Sequence, residues 1–346
     1  MKQTLLIRAD ASSEIGVGHV MRCLALAEAW QAIGGNVYFA AASMPEAIRH
    51  RLSGQGFEVV HLPASNTASS LLEVADRVQS NHVVLDGRFD SNYQREIKGA
   101  GLSAMVIDDY GCGAPFSADC IVNPDLVAES MYEQREPYTR LLLGPEYALL
   151  RTEFLRYREP KQPANLCRIL VTLGGSDPEN MSLVVMQAME QLLVKDVQVR
   201  VIVGAANPRF ELLRQMADTL PVQIQVLRDV TDMPNEMQWA DVAVVAAGVT
   251  LWELLYMGTA VVCWPRYQQD VPVMDSLASQ GVLLPLTVDA NPSLIADSLN
   301  QLLSNSELRR RLQSAGKKLV DGRGARRVAE VFSQLPAKRV EGVQAH

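Results

Sequence analysis

No stretch of the 346-residue chain reaches the roughly 18 uninterrupted apolar residues that suggest a membrane-spanning helix, so integral membrane contact is not expected. Cysteine is scarce. Cys23, Cys112, Cys120, Cys167 and Cys263 are odd in number, and their spacing fits neither a zinc site nor a disulfide framework. The opening residues MKQTLLIRAD contain no long apolar core of the kind a secretory signal carries. With the isolated cysteines, this leads to the expectation of a cytoplasmic protein. Positive charge is also short: 32 Lys and Arg stand against 39 Asp and Glu, a net charge of −7. That balance argues against nucleic acid as a partner but leaves room for a local site that takes a small anion. What is present is apolar residue, 48% of the chain, with 21% charged, enough for sizeable cores and too little charge for long disorder.

The length suits two domains. Short apolar strands alternate with amphipathic helices through the first half: TLLI at 4–7, a helix starting near His19 and stopping at Gly34–Gly35, then strands NVYFAA, FEVVHL, HVVLD and AMVIDD with helical stretches between them. Such alternation implies a parallel sheet covered on both faces. REPKQPAN at 158–165 reads as a linker, with two prolines and no apolar period. The alternation then restarts with CRILVTLGG, VQVRVIVG, VQIQVL, DVAVVAAG and AVVCWP, and the chain from Ser293 to about Phe332 reads as mostly helical. The expected organisation is two Rossmann-like domains, 1–158 and 159–346, facing one cleft, with the last helices able to cross back to the first domain. Ligands of such sheets lie beyond the carboxyl ends of strands.

Four strand-to-helix loops have the residue types for ligand chemistry. In the first, Gly16 and Gly18 allow close backbone approach to an anion, and His19 opens a helix. The spacing is not the dinucleotide fingerprint. His19 reads either as a proton-handling group or as a residue packed at the helix start. In the second, Gly174, Gly175, Ser176, Asp177 and Pro178 spell a capped helix start where a phosphate could bind. In the third, Gly248 precedes Thr250 and Glu253, which form either a capping box or, through Glu253, a carboxylate for vicinal ribose hydroxyls. In the fourth, Gln268, Gln269 and Asp270 could hydrogen-bond sugar hydroxyls or acetamido groups, or simply be a polar surface loop. The acid pair Asp108–Asp109 has no third metal ligand nearby and reads as cleft-facing or structural. Arg309, Arg310, Arg311, Lys317 and Lys318 read as a solvated helix face.

In order along the chain, RADASSEIGVGHVMRCLALAEAW, VIDDYG, CIVNPDL, LLLGPEYALLRTEF, VTLGGSDPENMS, AAGVTLWELLYMGTAVV and VDGRGARRVAEVF resemble the UDP-sugar hydrolases of pseudaminic acid biosynthesis, which cleave UDP-2,4-diacetamido-2,4,6-trideoxy-β-L-altropyranose. The resemblance runs from about Leu5 to Phe332. Its Gly-x-Gly-His and Gly-x-Thr-x-x-Glu loops are shared with the UDP-GlcNAc transferase of peptidoglycan synthesis, whereas LLGPEYALLR and GGSDPEN are more specific to the hydrolases. It implies the GT-B fold and no cofactor or metal. It places a general base at His19 and a ribose contact at Glu253, and puts Gly174, Gly175 and Ser176 near the diphosphate. Further substrate contacts fall at Asp10, Gly16, Gly18, Arg88, Gly248, Thr250, Gln268 and Gln269. The implied reaction is water attack on the anomeric carbon with inversion, releasing UDP. Two loops depart from the family: Asp86-Gly87-Arg88-Phe89 stands where a His-Tyr pair usually follows the strand aspartate, and Tyr267-Gln268-Gln269 where Asp-Asn-Gln is usual. A glycosyltransferase of the same fold and a non-catalytic nucleotide-sugar-binding module are the alternatives. The helix MRCLALAEAW is expected to have one ordinary amphipathic face, which leans against a membrane acceptor.

Overall fold

A computed structural model describes residues 2–12, 14–64, 67–111, 114–157, 167–175, 177–204 and 207–336. The expected linker at 158–165, and with it Ser176 and Cys112, lies outside the described residues. The chain divides into two compact units. One takes the chain up to Thr152 and again from Gly322; the other runs from Glu153 to Asp321.

The first unit is built from β1 (Thr4–Ala9), α1 (Gly18–Ala32), β2 (Asn36–Ala41), α2 (Glu46–Gly54), β3 (Glu58–His61), α3 (Ala68–Arg77), β4 (His82–Asp86), α4 (Ser91–Gly99), β5 (Ser103–Ile107), β6 (Cys120–Asn123) and β7 (Arg140–Leu143). All seven strands are parallel, in the order β3-β2-β1-β4-β5-β6-β7. The order reverses between β1 and β4, and that reversal opens the crevice where open α/β sheets hold ligands. The short helix α5 (Thr152–Leu155) carries the chain onward, its Thr152 N–H donating to the Glu28 carboxylate at 2.6 Å.

Both faces of this sheet are buried, which is why its strands read as unbroken apolar runs. Leu5, Ile7 and Ala9 of β1 face a core shared with α1, while Leu6 faces a second core with Leu71, Val83, Leu85 and Ile97. A strand alternates its side chains between faces, so consecutive residues of β1 serve different cores. The helix α1 departs from the expected single amphipathic face: every residue from Val20 to Ala27 is buried. The reason is a second cover. After the second unit the chain returns as α13 (Gly324–Ser333), whose Val328, Ala329 and Phe332 join the same core. Phe332 packs edge-on to His82 at 5.0 Å and tilted to Trp30 at 5.9 Å. A Cβ on Gly324 would lie 2.2 Å from the Ala148 carbonyl oxygen, so only glycine permits this approach.

The second unit repeats the plan with β8 (Cys167–Thr172), α6 (Met181–Ala188), β9 (Val197–Val203), α7 (Phe210–Ala217), β10 (Gln223–Arg228), α8 (Met233–Trp239), β11 (Val242–Ala246), α9 (Val249–Tyr256), β12 (Ala260–Trp264), α10 (Val271–Ser279), β13 (Leu284–Pro285), α11 (Pro292–Ser304) and α12 (Ser306–Leu319). Its six parallel strands run β10-β9-β8-β11-β12-β13, and the order reverses between β8 and β11. Among the described residues, no helix is long and apolar enough to cross a membrane.

Because α13 completes the core of the first unit, Phe332→Ala is expected to lower that unit's stability by about 3–5 kcal/mol, the usual cost of deleting a buried aromatic ring. Urea unfolding followed by Trp30 fluorescence reads this; an unchanged midpoint would show that the helix contributes nothing to that core.

Candidate functional site

In the first unit, the carboxyl ends of β1, β4 and β5 bring together four side chains. His19 is the second residue of α1, Arg22 lies one turn further on, Asp86 ends β4, and Asp109 follows β5. Positions three apart on a helix share a face, so His19 and Arg22 point the same way. Asp86 is paired in register with Ala9 at the end of β1, which sets its carboxylate beside the start of α1. His19 Nδ1 lies 2.5 Å from Asp86 Oδ1. Arg22 donates from Nε and Nη2 to the two Asp86 oxygens, each at 2.7 Å, and from Nη1 and Nη2 to Asp109 at 2.5 and 3.1 Å. The Cys23 thiol donates to Asp86 Oδ2 at 3.2 Å.

Burial opposes the Asp86 charge, but the Arg22 guanidinium and then His19 outweigh it and hold the carboxyl well below the usual carboxylate range. The Asp86 carboxylate in turn raises His19 above the ordinary histidine value, against burial and against Arg22. Burial works against the Arg22 charge too, and Asp109 and Asp86 more than offset it. An ionised carboxylate only accepts, so the short contact requires a hydrogen on His19 Nδ1. Nε2 is then the ring nitrogen left for other partners, on a side chain 29% exposed.

The other expected residues of this unit divide. Gly16 closes a tight turn, its N–H on the Ser12 carbonyl and its φ at +82°, a value that favours glycine. Gly18 opens α1, whose N-terminus has no side-chain cap. Arg88 is exposed just after β4. Asp10 is held by the scaffold: Oδ1 accepts the N–H groups of Ala42 and Ser43 at 2.8 and 3.0 Å, and Oδ2 accepts Arg8 at 2.6 Å. Those bonds tie the end of β1 to the end of β2. Asp108 also faces inward, accepting from Gly111 N–H and the Tyr132 hydroxyl.

In the second unit the expected residues lie at the carboxyl ends of three adjacent strands, β8, β11 and β12. Gly174 has φ at +92°, and a Cβ on Gly204 would lie 2.0 Å from the Gly175 carbonyl oxygen, so the loops after β8 and β9 touch backbone to backbone. The helix start expected at Ser176–Pro178 comes later, at Met181. Asp177 caps it from a distance, its two oxygens accepting the N–H groups of Met181 and Ser182, each at 2.9 Å. That end of α6 is therefore already supplied with an anion. The N-terminus of α9 differs. Gly248 is its N-cap, with φ at +142°, and no side chain caps it. The expected Thr250–Glu253 capping box does not form, because the helix starts at Val249 and puts Thr250 inside the first turn. Glu253 is buried at 4% exposure. Gln268 and Gln269 are exposed on a single helical turn fixed by Asp270, which accepts the Tyr267 N–H at 3.0 Å. Arg266 reaches Glu179 at 3.9 Å and so links the β12 loop to the β8 loop.

Residues 154–319, nearly the whole second unit, match the family model for glycosyl transferases group 1. The chain is 31% identical over 204 residues to the spore coat polysaccharide biosynthesis protein SpsG of Bacillus subtilis, covering 57% of this chain and 59% of that one. It is 24% identical over 272 residues to the UDP-2,4-diacetamido-2,4,6-trideoxy-β-L-altropyranose hydrolase of Campylobacter jejuni, covering 77% of this chain and 93% of that one. The chain thus spans little more than half the length of the Bacillus relative. Among solved structures, MurG of Acinetobacter baumannii superposes with a TM-score of 0.69 over 97% of this chain and all of the other, at 15% identity.

The titration of His19 follows from its partner. Asp86→Asn removes the charge that raises it, so the His19 midpoint is expected to fall relative to the wild type in an NMR pH titration. An unmoved midpoint would rule out the carboxylate as the cause. The two parallel, doubly wound units, matched along their length by MurG, give the protein the GT-B fold of nucleotide-sugar glycosyltransferases.

Proposed function

We propose that the protein hydrolyses a UDP-linked diacetamido-trideoxy sugar to UDP and the free sugar, with inversion at the anomeric carbon. The observation that supports this best is the His19–Asp86 pair at the switch point of the first sheet. A carboxylate that fixes the imidazole tautomer and raises its basicity makes the other ring nitrogen a general base. His19 Nε2 takes a proton from water as the water oxygen bonds to the anomeric carbon. The bond from that carbon to the diphosphate breaks, and its electron pair leaves with UDP.

UDP is a good leaving group and needs charge stabilisation more than a strong acid. The uncapped N-terminus of α9, opened by Gly248, is suited to the diphosphate, since free N–H groups and the helix dipole both favour negative charge. The α6 end has Asp177 in that place, so Gly174 and Gly175 contribute through their backbone rather than through the helix dipole. Glu253 is assigned to the ribose, and Gln268 and Gln269, both exposed, to the acetamido sugar. Arg88, also exposed, is assigned to the phosphates, where a guanidinium can pair with two oxygens at once. Similarity to the Campylobacter hydrolase over 93% of its length supports the sugar class.

The match of residues 154–319 to glycosyl transferases group 1 favours a second reading, transfer of the sugar to an acceptor hydroxyl with the same base. UDP release without an acceptor separates the two. Purified protein given UDP-2,4-diacetamido-2,4,6-trideoxy-β-L-altropyranose alone is expected to release UDP. His19→Ala is expected to lose about 10²–10⁴-fold in kcat, the usual worth of a general base, while binding UDP as the wild type does. The base works only when neutral, so kcat/KM falls as pH drops through the raised His19 value. An intact sugar after prolonged incubation with wild type would remove the hydrolase reading.

A further inference from the structure

The proposed base is hydrogen-bonded to Asp86, and that carboxylate is itself held by Arg22. Arg22 has five N–H groups in a rigid fork. Four of them are committed: Nε and one Nη2 hydrogen to Asp86, the other Nη2 hydrogen and one from Nη1 to Asp109. Nη2 also lies 3.2 Å from His19 Nδ1. Both Nη2 hydrogens are already directed at carboxylates, so this approach is not a bond to the imidazole. It places two donors, Nη2 and Nδ1, around the same Asp86 Oδ1. Among the neutral tautomers, the one that satisfies these groups has the hydrogen on Nδ1 and a bare Nε2.

We propose that Arg22 and Asp109 are positioning residues that lock the Asp86 carboxylate toward His19 Nδ1 and so select Nε2 as the nitrogen that reacts. Asp109 holds the guanidinium from the far side, and Arg22 passes that constraint to Asp86 through two parallel bonds. The groups facing His19 are then Asp86 on β4, Arg22 on its own helix and Asp109 beyond β5, with the Cys23 thiol on the second Asp86 oxygen. A lysine at position 22 would keep the charge but not the fork, because an ammonium cannot bridge two carboxylates bidentately. Only the assignment of His19 as the reacting base rests on the proposed function; the tautomer it adopts does not.

The test reads the tautomer directly. Long-range ¹H–¹⁵N spectra of the imidazoles distinguish a protonated from a bare ring nitrogen, and His19→Gln identifies the His19 signals among the five histidines of the chain. Wild type above the His19 titration is expected to show Nδ1 protonated and Nε2 bare. Arg22→Lys and Asp109→Asn are each expected to give a mixture of tautomers, with kcat reduced by at least about tenfold, part of the general-base contribution, and KM unchanged. Asp109 is partly exposed, so Asp109→Asn keeps the test open if Arg22→Lys does not fold. A His19 spectrum identical to wild type in the folded variant overturns the proposal. Wild type that shows the single tautomer, and loses it in the variants, yet releases no UDP leaves the positioning intact and removes the hydrolase reading instead.

Discussion

A guanidinium almost wholly removed from water has to be neutralised on the spot, and much of the first unit's upper edge follows from that requirement. Arg22 retains 8% exposure on a helix otherwise wrapped in apolar contacts. One carboxylate balances its charge and a second accepts its remaining donors, since a buried ion is tolerated only when paired and hydrogen-bonded. Those carboxylates come from the ends of β4 and β5. The helix that follows β1 is thereby tied to the two strands beyond the switch point. His19, one turn earlier, inherits a fixed neighbour without adding a constraint of its own.

The two units solve the same problem of ligand access with different local chemistry. Each sheet reverses its strand order once, and each reversal is flanked by a loop in which glycine brings the backbone close: Gly16 after β1, Gly174 after β8 and Gly248 after β11. In the first unit the loops deliver titratable side chains. In the second they deliver backbone and amides, and the one buried acid near the β8 loop, Asp177, is turned inward onto its own helix.

Much of this was legible in the sequence, for a definite physical reason. Strands such as β4, β11 and β12 are buried on both faces and read as short apolar runs with glycine or proline close by. The strands β6 and β7 are four residues long and joined by a stretch with no helical period, so nothing in their pattern announces them. Gly16, Gly18 and His19 stood out because glycine pairs at a strand end are unusual. Arg22 did not, because an arginine in a helix normally faces solvent; its spacing of three from His19 was the available signal. The Thr250–Glu253 spacing fits a capping box, but the helix is capped two residues earlier, at Gly248. The basic run forms a solvated face at Arg310, Arg311, Lys317 and Lys318, all exposed, whereas Arg309 is half-buried and donates to the carbonyls of Leu302 and Leu303 at the end of α11.

The return of α13 to the first unit makes the second unit an insertion within the first. On the ribosome this inverts the usual order of completion. The strands of the first unit emerge before the helix that covers them, so the second unit has all of its chain before the first has its full core. Val20, Leu24 and Trp30 have to wait, with one flank of α1 bare, while the residues from 33 to 323 are added at roughly 5–20 per second. The stretch of chain that most needs shielding during synthesis is therefore the very helix that carries His19.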